Sequence, residues 1–300
     1  MIHPDIPAAG AMLAGLPPDQ EDLERTLYSW YLTAIPLPPR PASSSPLDVN
    51  PGGALDAAHA DSTRFVGGWR AESTTPRGGV VASNGELRRH LPRSGYTVPA
   101  RPGLPARPGD ALLARAAWTW HDTDRGFWHT RRGIWPPKGA DRLTRTYLNV
   151  SFDGAPRVIA LLTRLLAEHP HIAYQIKLPL SAGHSGRADA VVLYLGAPDA
   201  ADLDADLRAV AAALTGVLRP PRPRFTHALA PGIGQAEGPL DGASFGQTRC
   251  GLLAQTWRAM PSRARHDPPA VTRAITTGFT SAGIDPARPY LLAVGDEGHP

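Results

Sequence analysis

Between Arg145 and Leu195 the chain carries three short apolar runs around one amphipathic stretch, and this pattern limits the fold more than any other. RTYLNVSF (145–152), IAYQIKLPL (172–180) and ADAVVLYL (188–195) alternate or run apolar in the manner of strands buried on at least one face. APRVIALLTRLLAEH (155–169) instead repeats its apolar residues at three- and four-residue steps, which predicts a helix. A second long helix is expected over 199–218, capped by Asp199 and striped by Leu203, Leu207, Val210, Leu214 and Val217. Shorter helices are expected near 249–260 and 269–283. These elements intermix without a strict βαβ period, so the fold class read from them is α+β, a mixed or antiparallel sheet with flanking helices.

The N-terminal part is less regular. A helix is expected over 18–35, capped by Asp19, with Leu23, Leu27, Trp30 and Tyr31 on one face. Residues 36–53 are rich in Pro and Ser and read as a loop, and 54–110 read as irregular with at most a short helix. ALLARAAWTWHD and GFWHTRRGIW, around 111–135, read as strands across a hairpin. The stretch 219–248, punctuated by Pro and Gly, reads as a long loop. The expected division is therefore a helical and irregular region over 1–110 and a main domain over 111–300.

Several function classes find no support. The 300 residues contain no run of about 20 apolar residues that would span a membrane. MIHPDIPAAG lacks the basic and apolar regions of a secretory signal, so a cytoplasmic location is expected. A single cysteine, Cys250, excludes an internal disulfide framework and any CxxC site. His121, His129, His171 and His184 have no metal-ligand spacing, and no GxSxG accompanies them, so neither a metal nor a triad hydrolase is expected. Thirty-one cations against 27 anions is a mild excess that demands neither nucleic acid nor a membrane.

The basic residues are more informative by type. Only Lys138 and Lys177 are lysines among the 31, and the rest are arginines. A chain with that bias supplies Arg wherever a solvated cation suffices, so a lysine within a strand invites a chemical question. Arginine cannot release its proton near neutrality, whereas lysine can be tuned to act as a base. Lys177 admits two readings, a solvated side chain on an exposed strand face or a general base. Arg187 opens the next strand, and antiparallel pairing would bring it to Lys177 and depress the lysine pKa. Arg145 and Tyr147 alternate on RTYLNVSF and share a face. LAPGIGQAEGPLDGASFGQTRCGLLAQ (229–255) lacks the ending of a phosphate-binding P-loop, yet delivers Glu237, Ser244 and Arg249 to the fold. Ser244 reads as a helix N-cap. A cluster of arginines and one lysine suits a phosphate group, and a neutral amine beside a phosphoester suggests β-elimination.

The strands RTYLNV, KLPL and RADAVVLYL, with FWHTRRGIWPP upstream and above all APGIGQAEGPLDGASFGQTRCGLLA, resemble the HopA-type effector family over about residues 127–255. Stand-alone members of that family resemble the lyase component of class V lanthipeptide biosynthesis. There a separate kinase phosphorylates Ser and Thr of a precursor peptide, and the lyase eliminates phosphate to leave dehydroalanine or dehydrobutyrine. The family is distantly similar to bacterial phosphothreonine lyases. The resemblance implies their fold, no cofactor, and a phosphorylated precursor peptide and a kinase as partners. It gives Lys177 the role of base and Arg187, Arg249, Tyr194 and Arg145 contacts to the phosphate. Tyr147 stands where the lyases carry an acidic histidine, which leaves Tyr147, His184 or no side chain as the proton donor. The alternative function is a binding protein that presents a phosphopeptide to a kinase.

Overall fold

The computed structural model describes residues 1–17, 20–32, 52–61, 64–181, 187–240 and 244–292. Asp19 and His184, and nearly all of the Pro/Ser-rich stretch, lie outside them. The chain opens with helices α1 (Asp5–Ala14) and α2 (Leu23–Leu32), the second beginning where the apolar stripe of Leu23, Leu27 and Tyr31 begins. A short helix, α3 (Gly52–Ala58), follows.

The region read as irregular holds an antiparallel sheet. Its strands are β1 (Phe65–Thr74), β2 (Val80–Ser83), β3 (Arg88–Leu91), β4 (Tyr96–Thr97) and β5 (Ala111–Arg115), in the order β3-β2-β1-β5-β4. Trp69, Val80, Ala82, Leu91, Tyr96 and Leu112 form its core. The periodicity of β1 is hidden because only Trp69 and Ala71 of FVGGWRAEST are buried. Register irregularities at Val66/Trp69 and Ala71/Ser73 break the alternation further. Such bulges need an unusual backbone, and Gly68 supplies it with φ of 87°.

The second sheet carries the strands expected from the sequence and two that were not. These are β6 (Trp118–Asp122), β7 (Phe127–Arg132), β8 (Leu143–Leu148), β9 (Tyr174–Pro179), β10 (Val191–Gly196), β11 (His227–Ala230) and β12 (Ile233–Gly238). Their order is β11-β12-β8-β10-β9-β7-β6, with every pairing antiparallel. The expected loop over 219–248 is thus corrected: LAPGIGQAEG is a hairpin whose second strand pairs with β8. Gly, Gln and Ala fill β12, so it shows no hydrophobic alternation, and Gly232 at φ 76° makes the turn.

Helices cover the rear face of this sheet. They are α4 (Ala155–Glu168), α5 (Ala197–Asp202) and α6 (Asp204–Ala213). Val158, Ile159, Leu162 and Leu166 of α4 share one core with Ile176, Leu193 and Leu195 of the sheet. The single helix expected over 199–218 breaks at Leu203, which caps α5 and precedes α6. On the front face lie α7 (Phe245–Ala259) and α8 (Pro268–Ser281), joined by α1 and α2 in a second core. The N-terminal helices therefore pack against the C-terminal ones, across the division expected at residue 110. Tyr147, Val192 and Ala236 are the fully buried sheet residues in that core, and β6, β7 and β9 contribute none.

His59, 2% exposed, ties α3 to the sheet. Its Nδ1 accepts the Asp61 backbone N–H at 3.1 Å, and its Nε2 lies 3.0 Å from the Thr130 hydroxyl. Burial pushes its pKa down to about 4. The unfolded chain, with a histidine pKa of about 6.5, takes up the proton first, so this stability is complete above that pH and is lost towards pH 4. Urea midpoints measured between pH 7 and 4 should fall less steeply in His59→Gln than in the parent chain.

Candidate active site

Antiparallel register places two rows of side chains across the front of the sheet. In one row Ala236, Arg145, Tyr194, Gln175, Arg131 and Trp118 stand opposite one another in turn. In the next, Gly234, Tyr147, Val192, Lys177, His129 and Trp120 do so. Their centre forms the floor of a cavity of about 450 Å³. Tyr28 of α2, Arg187 and Asp189 ahead of β10, and Ser244, Phe245 and Gln247 at the start of α7 form its walls. The N-terminus of α7 thus presents the positive end of its dipole to the cavity, which favours an anion. Ser244 caps that helix as expected, accepting the Gln247 N–H at 3.5 Å.

Lys177, Tyr147, Arg145, Arg187 and Tyr194 all line this cavity. The Lys177 ammonium sits 3.8 Å from the centre of the Phe127 ring. Burial lowers its pKa first and the Arg187 guanidinium second, while Asp189 acts in the opposite direction. The expected effect of a neighbouring cation is therefore real but secondary to desolvation. Arg187 grips Asp189 through both Nε and Nη2, each at 2.8 Å. Burial opposes the charge on Arg187, yet this carboxylate more than offsets it and raises its pKa. Arg145 is 3% exposed, with its guanidinium 5.8 Å from the centre of the Tyr194 ring. Burial raises the Tyr147 pKa, against the pull of Arg145, so its phenol stays protonated.

Three cavity residues carried no chemical assignment in the sequence. Tyr28 lies more than a hundred residues before the strands that it faces, and nothing local marks it. Asp189 could have been found from the RAD spacing, since alternate residues entering a strand share a side. His129 pairs directly with Lys177, stacks on Trp120 at 4.7 Å, and has a buried Nδ1 without a hydrogen-bond partner among the described residues. Burial, then Lys177, pushes its pKa down to about 4, so the imidazole is neutral near pH 7.

Arg249 is placed differently. It is 6% exposed and is not among the described residues that line the cavity. Its Nε and Nη2 donate to the carbonyls of Pro289 and Leu291 at 2.9 and 2.7 Å. Glu237 accepts the Leu292 N–H at 3.1 Å and pairs with Arg142 at 3.1 Å. These two residues of the 229–255 segment therefore bind the C-terminal stretch to α7 and β12.

A family model for the HopA1 effector proteins matches residues 121–291, more than half of the chain and all of this sheet except Trp118–Trp120 at the start of β6. The chain belongs to the HopA1 effector protein family. The effector protein from Pseudomonas syringae pv. tomato strain DC3000 has a similar structure at 14% identity, with a TM-score of 0.54 and 96% of each chain covered. The effector protein from Pseudomonas syringae pv. syringae strain 61 is similar at 14% identity and a TM-score of 0.56, covering 98% of this chain and 100% of that one. No curated protein sequence matches the chain. The likeness to these two structures thus extends over the N-terminal helices and the small sheet, beyond the segment that the family model matches.

The Arg145 guanidinium occupies the space beside Gly238 that a side chain there would fill. A Cβ there would fall 1.7 Å from Arg145 Nη1. Gly238→Ala should leave circular dichroism and the thermal midpoint nearly unchanged, because the flexible guanidinium yields. Titrated by calorimetry with inorganic phosphate as an anion probe of the cavity, the variant should bind roughly tenfold or more weakly than the parent, in line with a lost charge-assisted contact of about 1.5–3 kcal/mol. Arg249→Ala should do the reverse. Chemical denaturation should show roughly 1.5–3 kcal/mol of lost stability, because the carbonyls that it serves lose a charged donor.

Proposed function

We propose that this protein is a phosphoserine/phosphothreonine lyase that eliminates phosphate from a ribosomally made precursor peptide. The observation that carries this reading is the placement of Lys177, with its lowered pKa, in one cavity with Arg145, Arg187 and Tyr147. Arg145 and Arg187 hold the phosphate and balance the charge that grows on it. Lys177 in its neutral form removes the Cα proton. The electron pair left at Cα forms the Cα–Cβ double bond, and the Cβ–O bond breaks with its pair passing to the phosphate. Tyr147 supplies a proton to the departing oxygen, and the Lys177 ammonium restores that proton afterwards. No oxidant, reductant or metal enters this balance. Of the proton donors left open, Tyr147 lines the cavity with its phenol protonated, whereas His184 lies outside the described residues, so the proposal takes Tyr147 as the donor.

The likeness of its motifs to the class V lanthipeptide lyases supports a substrate phosphorylated by a separate kinase, and dehydroalanine or dehydrobutyrine as the product. A substrate and kinase of that kind place the reaction in the cytoplasm. Arg249 enters the proposal as the residue that anchors α7, whose first turn faces the phosphate.

Incubation with a phosphothreonine peptide, followed by mass spectrometry, should show loss of phosphoric acid. A peptide that gains water relative to this product has been hydrolysed instead, and an unchanged but bound peptide supports the binding-protein alternative. Lys177→Arg should bind phosphopeptide and give no product, since a guanidinium holds its proton. Tyr147→Phe should slow turnover by roughly 10²–10⁴-fold with little change in binding. The rate should rise with pH through the Lys177 pKa, below the ordinary lysine range. Arg187→Gln, which removes a lowering influence, should move that rise to higher pH.

A further inference from the structure

The two rows of side chains do not stop at the cavity. Beyond Lys177 and Gln175 they continue across β7 to β6, onto a part of the front face where, among the described residues, the helical core contributes no buried contact. This outer part is aromatic. Trp118 and Trp120 stack with centroids 4.6 Å apart and planes inclined by 28°, and Trp120 lies nearly parallel to His129. The Arg131 guanidinium is held among three indoles, 5.3 Å from Trp120, 5.5 Å from Trp135 and 5.9 Å from Trp118. It also donates from Nε and Nη2 to Gln175 Oε1, at 3.2 and 2.8 Å. Trp135 meets Tyr194 edge-on, and both line the cavity. Arginine and indoles are thus fixed in one rigid surface that starts at the cavity wall and ends at Trp118, which is 36% exposed.

We infer that this indole–arginine platform is a subsite for an aromatic side chain of the substrate peptide, two to four residues from the phosphorylated one. The inference rests on the reading of the cavity as a phosphopeptide site. From Lys177 on β9 to Trp120 on β6 is two strand spacings, or about 10 Å, and an extended peptide advances about 3.3 Å per residue. A chain crossing the sheet with the Cα of its phosphorylated residue at Lys177 therefore brings a side chain two to four positions away over Trp118 and Trp120. Indole faces that are already ordered cost little to engage, and their quadrupoles favour a ring in offset or edge-on contact. Arg131 fills the place a ligand cation would take among the indoles, which leaves an uncharged ring as the complementary group. Its guanidinium adds a planar cationic edge for that ring to meet.

The test uses phosphothreonine peptides that differ only by one Phe in place of Ala, at each position from four before to four after the phosphoresidue. Affinity for the full chain is read by fluorescence anisotropy and turnover by mass spectrometry. One position two to four residues out should tighten binding roughly three- to tenfold over Ala. Trp118→Ala should abolish that difference while leaving the affinity of the all-Ala peptide unchanged, and Trp118→Phe should restore part of it. The exposure of Trp118 makes these variants compatible with folding, which a thermal melt checks. Elimination without any positional preference, or a preference that survives Trp118→Ala, would overturn the subsite and leave the lyase reading standing. A Trp118-dependent preference in binding, with no elimination from any peptide, would establish the subsite and refute the lyase.

Discussion

Everything at the candidate site depends on the register of four antiparallel strands, β8, β10, β9 and β7. Opposing residues in such a ladder put their side chains on the same face, and a slip of one residue exchanges the faces. The rear face is pinned by Ile176, Leu193, Leu195 and Trp128, all of them fully buried against helices. That hydrophobic constraint leaves Lys177 no option but the front, opposite Val192 and His129. The same ladder fixes Arg145 beside Tyr194, and Tyr147 two strands from the lysine. Core packing on one side thus sets the chemistry on the other, at no cost to the core itself.

Charge is managed within that frame by one internal ion pair. The described cavity lining holds Arg125, Arg145, Lys177 and Arg187 with a single carboxylate, Asp189. A bidentate carboxylate fixes the fork of Arg187 in one orientation, which lowers the entropy lost when an anion arrives. It also moderates the field at Lys177, since Asp189 raises the pKa that burial and Arg187 lower. The result is a cationic cavity in which one amine is the group most easily deprotonated. The neutral His129 beside it adds no positive charge of its own.

The sequence made the large sheet and its helices readable because their apolar residues follow clear periods. Lys177 could be singled out because the chain carries one other lysine, and alternation alone put Arg145 and Tyr147 on one face. What stayed hidden was hidden for physical reasons. The small sheet spreads its apolar residues over short strands, β12 is mostly Gly, Gln and Ala, and bulges break the period of β1, so none shows a long hydrophobic alternation. Arg249 looked like an anion ligand because its type suits that task, but its guanidinium holds the carbonyls of Pro289 and Leu291. Tyr28 comes from a helix that only tertiary packing brings to the cavity. The break at Leu203 left no trace in the apolar stripe that runs through it.

The central claim is that the cavity holds the Lys177 amine ready to act as a base. The scarcity of lysine makes a direct measurement practicable. In protein labelled with ¹³C at lysine Cε and carrying Lys138→Arg, a single side-chain signal remains, and its titration by NMR reports Lys177 alone. The account predicts a midpoint below the ordinary lysine value of about 10.4, moving back towards it in Arg187→Gln. A midpoint at or above the ordinary value, unchanged by Arg187→Gln, would contradict it.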